Sequence, residues 1–194
     1  IGLPRDAKAL LLIEVDGHPA QVADDADTVE RILRENGAAN ITVARDEIQK
    51  NAIWEARRKA LPALARRRPT IVLEDATVAR SKIPAMVDCI GDIAKKYGLL
   101  IGTFGHAGDG NLHPSILCDK RDPQEFARVE QAIDELFRRT VEMGGTLSGE
   151  HGTGTAKSKW LELETSAATL KFCRALRAAV DSKRLLNPTK VIAF

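Results

Sequence analysis

Two short apolar runs, Leu99 to Phe104 and Asn111 to Cys118, are separated only by Gly105 to Gly110. A connection that short cannot hold the helical crossover that joins parallel neighbours, so the two runs must pair antiparallel. Around this hairpin the chain alternates other β-type runs with longer stretches of helical spacing. Further strands are expected at Ala9 to Val15, Ile41 to Ala44 and Thr70 to Ala76. Val22, Ala26, Val29, Ile32 and Leu33 line one helical face that Gly37 ends, and a second helix runs from about Glu47 towards Arg66, bent or ended by Pro62. Ser81 starts a third helix that Gly98 closes. Asp122 and Pro123 cap and open a fourth, whose apolar stripe from Phe126 to Val141 reaches Gly144 and Gly145. The last carries Leu170, Cys173, Leu176 and Val180 and stops before Asn187-Pro188. This order implies an α+β fold, a mainly antiparallel sheet covered by helices with ferredoxin-like elements, followed by a C-terminal helical segment.

The 194 residues, 44% hydrophobic and 29% charged, suffice for one well-packed core and exclude disordered, collagen-like and disulfide-scaffold classes. A formal charge of +2 gives no electrostatic reason to expect nucleic acid as a partner. The longest apolar run, Ala9 to Ile13, falls far short of the roughly 20 residues of a spanning helix. Cys89, Cys118 and Cys173 form an odd set without CxxC spacing, which suits free thiols in a reducing, cytoplasmic setting. A chain opening on Ile1 reads as a piece of a longer one.

Three of the four histidines sit in glycine-rich segments, Gly105 to Pro114 and Gly149 to Gly154. If Asp109-Gly110 is a two-residue hairpin loop, His106 and His113 face each other across the strands. Opposed side chains have Cβ atoms about 4.5–5.5 Å apart, close enough for two imidazoles to share one metal ion. Glu150 and His151 follow as an adjacent acid and imidazole held between glycines, so one can ligate while the other meets substrate as a base. Two histidines and one carboxylate leave coordination positions open, which is a catalytic pattern. The plain alternative is a pair of tight turns with a solvated histidine pair. The Gly152-Thr153-Gly154 turn lacks a phosphate-loop signature.

The segments GHAGDGNLHP at Gly105 to Pro114, GTLSGEHGTGTAK at Gly145 to Lys157 and NPTKVI at Asn187 to Ile192 resemble the C-terminal half of FAD-linked dehydrogenases of the D-lactate dehydrogenase and glycolate oxidase type, which are vanillyl-alcohol-oxidase-like flavoproteins. Weaker likeness at Trp54 to Arg58 and Glu74 to Pro84 extends the match over most of the chain. The resemblance implies that His106, His113 and Glu150 ligate a divalent metal (zinc, iron or manganese) and that His151 is the general base. It places a substrate carboxylate on Arg57, with Arg58 close enough to take the same role. Asn111 and Lys190 are its flavin-side candidates, and Lys157 is either flavin-side or structural. Where some members carry a substrate-binding lysine this chain has Leu73, and their closing NPGK reads Asn187-Pro188-Thr189-Lys190.

The activity implied is oxidation of a D-2-hydroxy acid (D-lactate, glycolate or similar) to a 2-oxo acid with FAD as acceptor. The partners implied are an N-terminal FAD-binding domain, against which residues 145–194 would pack, the hydroxy acid and an unnamed electron acceptor. Homo-oligomerisation and peripheral membrane association stay open. Residues 1–194 then form one C-terminal domain, inactive by itself. A stand-alone metal-dependent hydrolase and a non-enzymatic interaction module are the rival readings, separated from the first by flavin dependence and by metal content.

Overall fold

In a computed structural model of the protein, residues 7–190 are described. Val191 and Ile192 of the closing motif therefore lie outside the described residues. The chain divides into two units, Ile1–Ala63 and Leu64–Phe194.

The first unit holds α1 (Pro19–Glu35) and most of α2 (Glu47–Ala65). His18 caps α1, its Nδ1 accepting from the Ala20 amide at 3.4 Å, and Gly37 follows the helix in the left-handed region at φ 78°. Pro62 does not end α2, which continues through it to Ala65 without the one intrahelical bond that a residue with an N–H would make there. The expected strands at Ala9 to Val15 and Ile41 to Ala44 do not form. Leu10, Leu11, Ile13 and Val43 remain exposed, and no described residue of this unit is buried. β propensity expresses fit to a half-buried pleated surface, and neither run meets a hydrogen-bonding edge among the described residues.

The second unit is built on a four-stranded antiparallel sheet. β4 (Asn111–Cys118) is its centre, with β3 (Leu100–His106) on one side and β1 (Thr70–Leu73) and β2 (Ala76–Thr77) in line on the other. Every residue of β4 is buried. α3 (Ile83–Tyr97) and α4 (Pro123–Glu142) supply Met86, Ile90, Ile93, Val129, Ile133 and Phe137 to a core that takes Leu112, Ile116 and Cys118 from β4. These even positions of β4 face one way, so the alternating Asn111, His113 and Ser115 face the other.

Asp122 caps α4 as expected, its Oδ1 accepting the amides of Gln124 at 2.9 Å and Glu125 at 3.2 Å. α3 is closed by Gly98 in the left-handed conformation, also as expected. Ser81, however, does not cap it. That residue lies in a 3₁₀ turn, Arg80–Lys82, and the helix begins at Ile83 with Pro84 in its first turn, where a residue without an N–H is at no disadvantage. After α4 the chain adds a 3₁₀ turn, Ser158–Trp160, then α5 (Leu161–Glu164) and α6 (Ala167–Val180). The Trp160 ring stands edge-on to Phe137 with centroids 4.8 Å apart. The three cysteines are free thiols.

The run Thr70 to Ala76, expected as one strand, is interrupted at Glu74 and Asp75. Pro114 in the central strand explains the break. The Glu74 amide donates to the Pro114 carbonyl at 3.1 Å, but Pro114 has no N–H to return the bond. The register survives the gap: Leu73 opposes Ser115 and Ala76 opposes Leu112, so Asp75 stands across from His113.

A histidine and carboxylate cluster beside the hairpin

The hairpin does not turn at Asp109-Gly110 alone. Its loop runs from Ala107 to Gly110, closed by the Gly110 amide on the His106 carbonyl at 3.0 Å, while Asp109 Oδ1 accepts the Asn111 amide at 3.0 Å. Gly110 has φ 86°, and a Cβ there would lie 1.9 Å from the Val78 carbonyl oxygen, so only glycine fits. The longer loop moves the register, and His106 opposes Asn111 while Phe104 opposes His113. His106 and His113 are thus diagonal neighbours instead of the expected directly opposed pair. The shift is two residues, one full side-chain period, so both rings stay on one face with centroids 5.3 Å apart.

Glu150 and His151 reach this face through the segment that leaves α4. Thr146 pairs with Thr77 as an antiparallel bridge, its amide donating to the Thr77 carbonyl at 2.9 Å and its carbonyl accepting the Thr77 amide at 3.2 Å. Two residues past Leu147, Gly149 lies so close to β2 and β4 that a Cβ would meet Thr77 Oγ1 at 2.4 Å and Asn111 Oδ1 at 2.5 Å. Asn111, buried, accepts from Thr77 Oγ1 at 2.8 Å and forms the floor under this glycine.

Two clusters result, and they share His113. In the outer one, Glu150 Oε1 lies 3.0 Å from His113 Nε2 and 3.7 Å from His106 Nε2. In the inner one, Asp75 Oδ1 lies 3.1 Å from His113 Nδ1 and 2.8 Å from His151 Nδ1. Asp75 Oδ2 accepts from the His151 amide at 3.2 Å and from Lys157 Nζ at 3.0 Å. Lys157 also donates to the Leu147 carbonyl at 2.8 Å and lies 3.7 Å from Glu74 Oε2. Burial opposes ionisation of Asp75, but the hydrogen bond and charge of Lys157, with the amide and charge of His151, hold its carboxyl below the ordinary value. Burial pushes the Glu74 carboxyl up, with Lys157 opposing and the Asp75 charge adding to the rise.

The outer cluster fits a divalent metal. His106, His113 and Glu150 each present one ligand atom, all within 4.8 Å of one another. Ligands about 2.0–2.1 Å from a tetrahedral ion are about 3.3 Å apart, and the 3.0 and 3.7 Å separations bracket that value. A carboxylate only accepts hydrogen bonds, so Glu150 set against two ring nitrogens is satisfied by their N–H groups or by a cation between them. Glu150 is half exposed, which leaves the open side a catalytic site needs. Asp75, His113 and His151 are also within reach of one another, but there the ammonium of Lys157 already occupies the carboxylate. Every strand pairing among the described residues is antiparallel.

The sequence-wide comparisons agree with the motifs. The family described as FAD linked oxidases, C-terminal domain, matches residues 1–191. The chain belongs to this family. Among its relatives is the glycolate oxidase subunit GlcD of Bacillus subtilis, 49% identical over all of this chain and 41% of that protein. The subunit of the same name from Escherichia coli K12 is 38% identical over 98% of this chain and 38% of its own length. A probable mitochondrial D-lactate dehydrogenase of Danio rerio is 31% identical over 94% and 37%. The chain thus spans about two fifths of the length of the curated relatives it matches. Among the described residues no helix is long and apolar enough to cross a membrane.

His106, His113, Glu150 and His151 come together within the second unit. Arg57 lies on α2 in the first unit, partly buried, and the neighbouring Arg58 is exposed and donates to the Asn51 carbonyl at 3.3 Å. Lys190 is exposed in the closing turn, where Arg177 donates to the carbonyls of Leu186, Asn187 and Lys190. Thr189, standing where the family motif has glycine, takes φ 67°, so the turn keeps the left-handed geometry glycine would favour. Sequence reading missed Asp75, and it left Lys157 without a partner. One signal was available: a charged pair, Glu74-Asp75, inside an apolar strand-like run must be neutralised if that run is buried.

Proposed function

We propose that the chain is the C-terminal, substrate and metal-binding part of an FAD-dependent dehydrogenase that oxidises a D-2-hydroxy acid, such as D-lactate or glycolate, to a 2-oxo acid. The observation that carries this reading is the convergence of His106, His113 and Glu150 beside His151 in a member of the FAD-linked oxidase family. Family membership favours it over a stand-alone hydrolase or an interaction module.

In this reading the three side chains of the outer cluster hold zinc, iron or manganese, and His151 is the base. When bound, the metal supplies positive charge that lowers the pKa of the substrate hydroxyl, and the FAD of the parent protein supplies the hydride acceptor. His151 is part-exposed with its Nε2 3.9 Å from Glu150 Oε1, at the edge of the outer cluster, and receives the hydroxyl proton there. Arg57 binds the substrate carboxylate through paired N–H donors, fixing which face of the carbon is presented. Asn111 and Lys190 belong to the flavin side, and residues 145–194 pack against the FAD-binding domain.

The test uses the full-length protein. Alanine at His106, His113 and Glu150 together should remove the metal, read by elemental analysis. His151→Ala should keep the metal while turnover falls by about 10²–10⁴. Full metal content in the triple variant would overturn the ligand assignment, and metal loss on His151→Ala would exchange the roles of Glu150 and His151.

A further inference from the structure

Asp75 lies at the centre of the cluster, is fully buried, and is assigned no part in the reaction above. Oδ1 bonds His113 Nδ1 at 3.1 Å and lies 2.8 Å from His151 Nδ1, and Oδ2 accepts from the His151 amide and Lys157 Nζ. An ionised carboxylate has about four acceptor sites and no proton to donate. His113 Nδ1 must therefore be the donor of its bond, and a bare His151 Nδ1 would set a lone pair against an anionic oxygen at 2.8 Å, which its N–H form avoids. A histidine that donates through Nδ1 and is neutral carries its lone pair on Nε2.

We propose that Asp75 is a positioning residue that fixes two histidines for two different tasks, holding His113 and His151 both as Nδ1–H, with Lys157 as its counter-ion. For His113 this turns Nε2 towards Glu150 and His106 as a metal ligand, the carboxylate–histidine–metal arrangement. For His151 it makes Nε2, and not Nδ1, the ring nitrogen that exchanges a proton with what lies beyond the cluster. Its amide bond to Asp75 Oδ2 fixes the backbone beneath the ring as well as the ring itself. His113 and His151 stack with centroids 4.9 Å apart and planes 29° from parallel, their Nδ1 atoms 3.1 and 2.8 Å from the same oxygen. Replacing Asp75 by asparagine would turn one acceptor oxygen into an NH₂ group facing donors.

The site's chemistry rests on the function proposed above, but the tautomers do not. Nitrogen-15 NMR of the full chain labelled at histidine, without added metal or substrate and followed over pH, should show Nδ1 protonated on both rings, the neutral form of His151 being the Nδ1–H tautomer. His151 protonated at Nε2 and bare at Nδ1 would overturn the proposal, whether or not the protein oxidises any hydroxy acid. This spectrum of the unmodified protein needs no variant that might fail to fold. In Asp75→Asn, His151 should lose the fixed Nδ1–H form, and zinc affinity measured by chelator competition should fall about 10–100-fold. Glu150→Gln should weaken zinc binding while His151 keeps its tautomer. Unchanged zinc affinity and an unchanged His151 spectrum in Asp75→Asn would also overturn it.

Discussion

The two units of this chain carry the same kind of sequence pattern with opposite outcomes. Ala9 to Val15 is as apolar as Leu99 to Phe104, yet the first stays unpaired and exposed while the second joins a sheet. The difference lies in the partner. β3 and β4 are neighbours in sequence and close on each other with a short loop, and α3 and α4 then cover the even face of β4. Nothing described in the first unit offers its apolar runs such an edge or such a cover. Apolar periodicity states that a segment can be buried, and only an adjacent surface buries it. The candidate site follows the same rule, because all four of its histidine and glutamate side chains stand on the covered sheet and the loop bonded to it.

Substitutions in the two units should separate this account from one in which pattern alone stabilises. Phe137→Ala, at a side chain with no exposure, should cost about 3–5 kcal/mol by denaturant unfolding. Leu11→Ala, at a residue 62% exposed, should stay within about 0.5 kcal/mol. Equal losses at the two positions would show that the first unit is packed in a way its exposure denies.

A smaller effect concerns charge at the start of α4. The Arg121 guanidinium, bonding Asp119 Oδ1 at 2.8 Å and Oδ2 at 2.6 Å, holds that carboxyl down at about 2. A carboxyl whose folded pKa lies below its unfolded value stabilises the fold above the unfolded value and loses that contribution as pH falls through the folded one. For Asp119 the window runs from the ordinary 3.8 down to about 2. Its titration by NMR should have a midpoint near the lower figure, and Arg121→Ala should return it towards the upper one.

Much of the second unit was readable from local signals. Asp122, Pro123 and the stripe to Val141 specify α4, because a cap and a helical period act within a few residues. The pairing of His106 with His113 on one face was readable despite a wrong loop length, since a two-residue slip preserves the side-chain face. The inner cluster was not. Asp75 meets His151 and Lys157 only because Pro114 breaks the strand beside it and Thr146 pairs with Thr77. Those are contacts between distant segments, and no local period encodes them. The unpaired runs at Ala9 to Val15 and Ile41 to Ala44 fail for the converse reason, with local preference present and the partner edge not among the described residues.

The central claim is that the histidine, histidine and glutamate cluster, and not the neighbouring aspartate cluster, holds the metal. Anomalous diffraction at the zinc edge, from crystals of the full-length protein grown with zinc, tests it directly. The account predicts one peak within coordination distance of His106 Nε2, His113 Nε2 and Glu150 Oε1, with Asp75 still bonded to Lys157. A peak between Asp75, His113 and His151, or zinc bound only elsewhere, would contradict it.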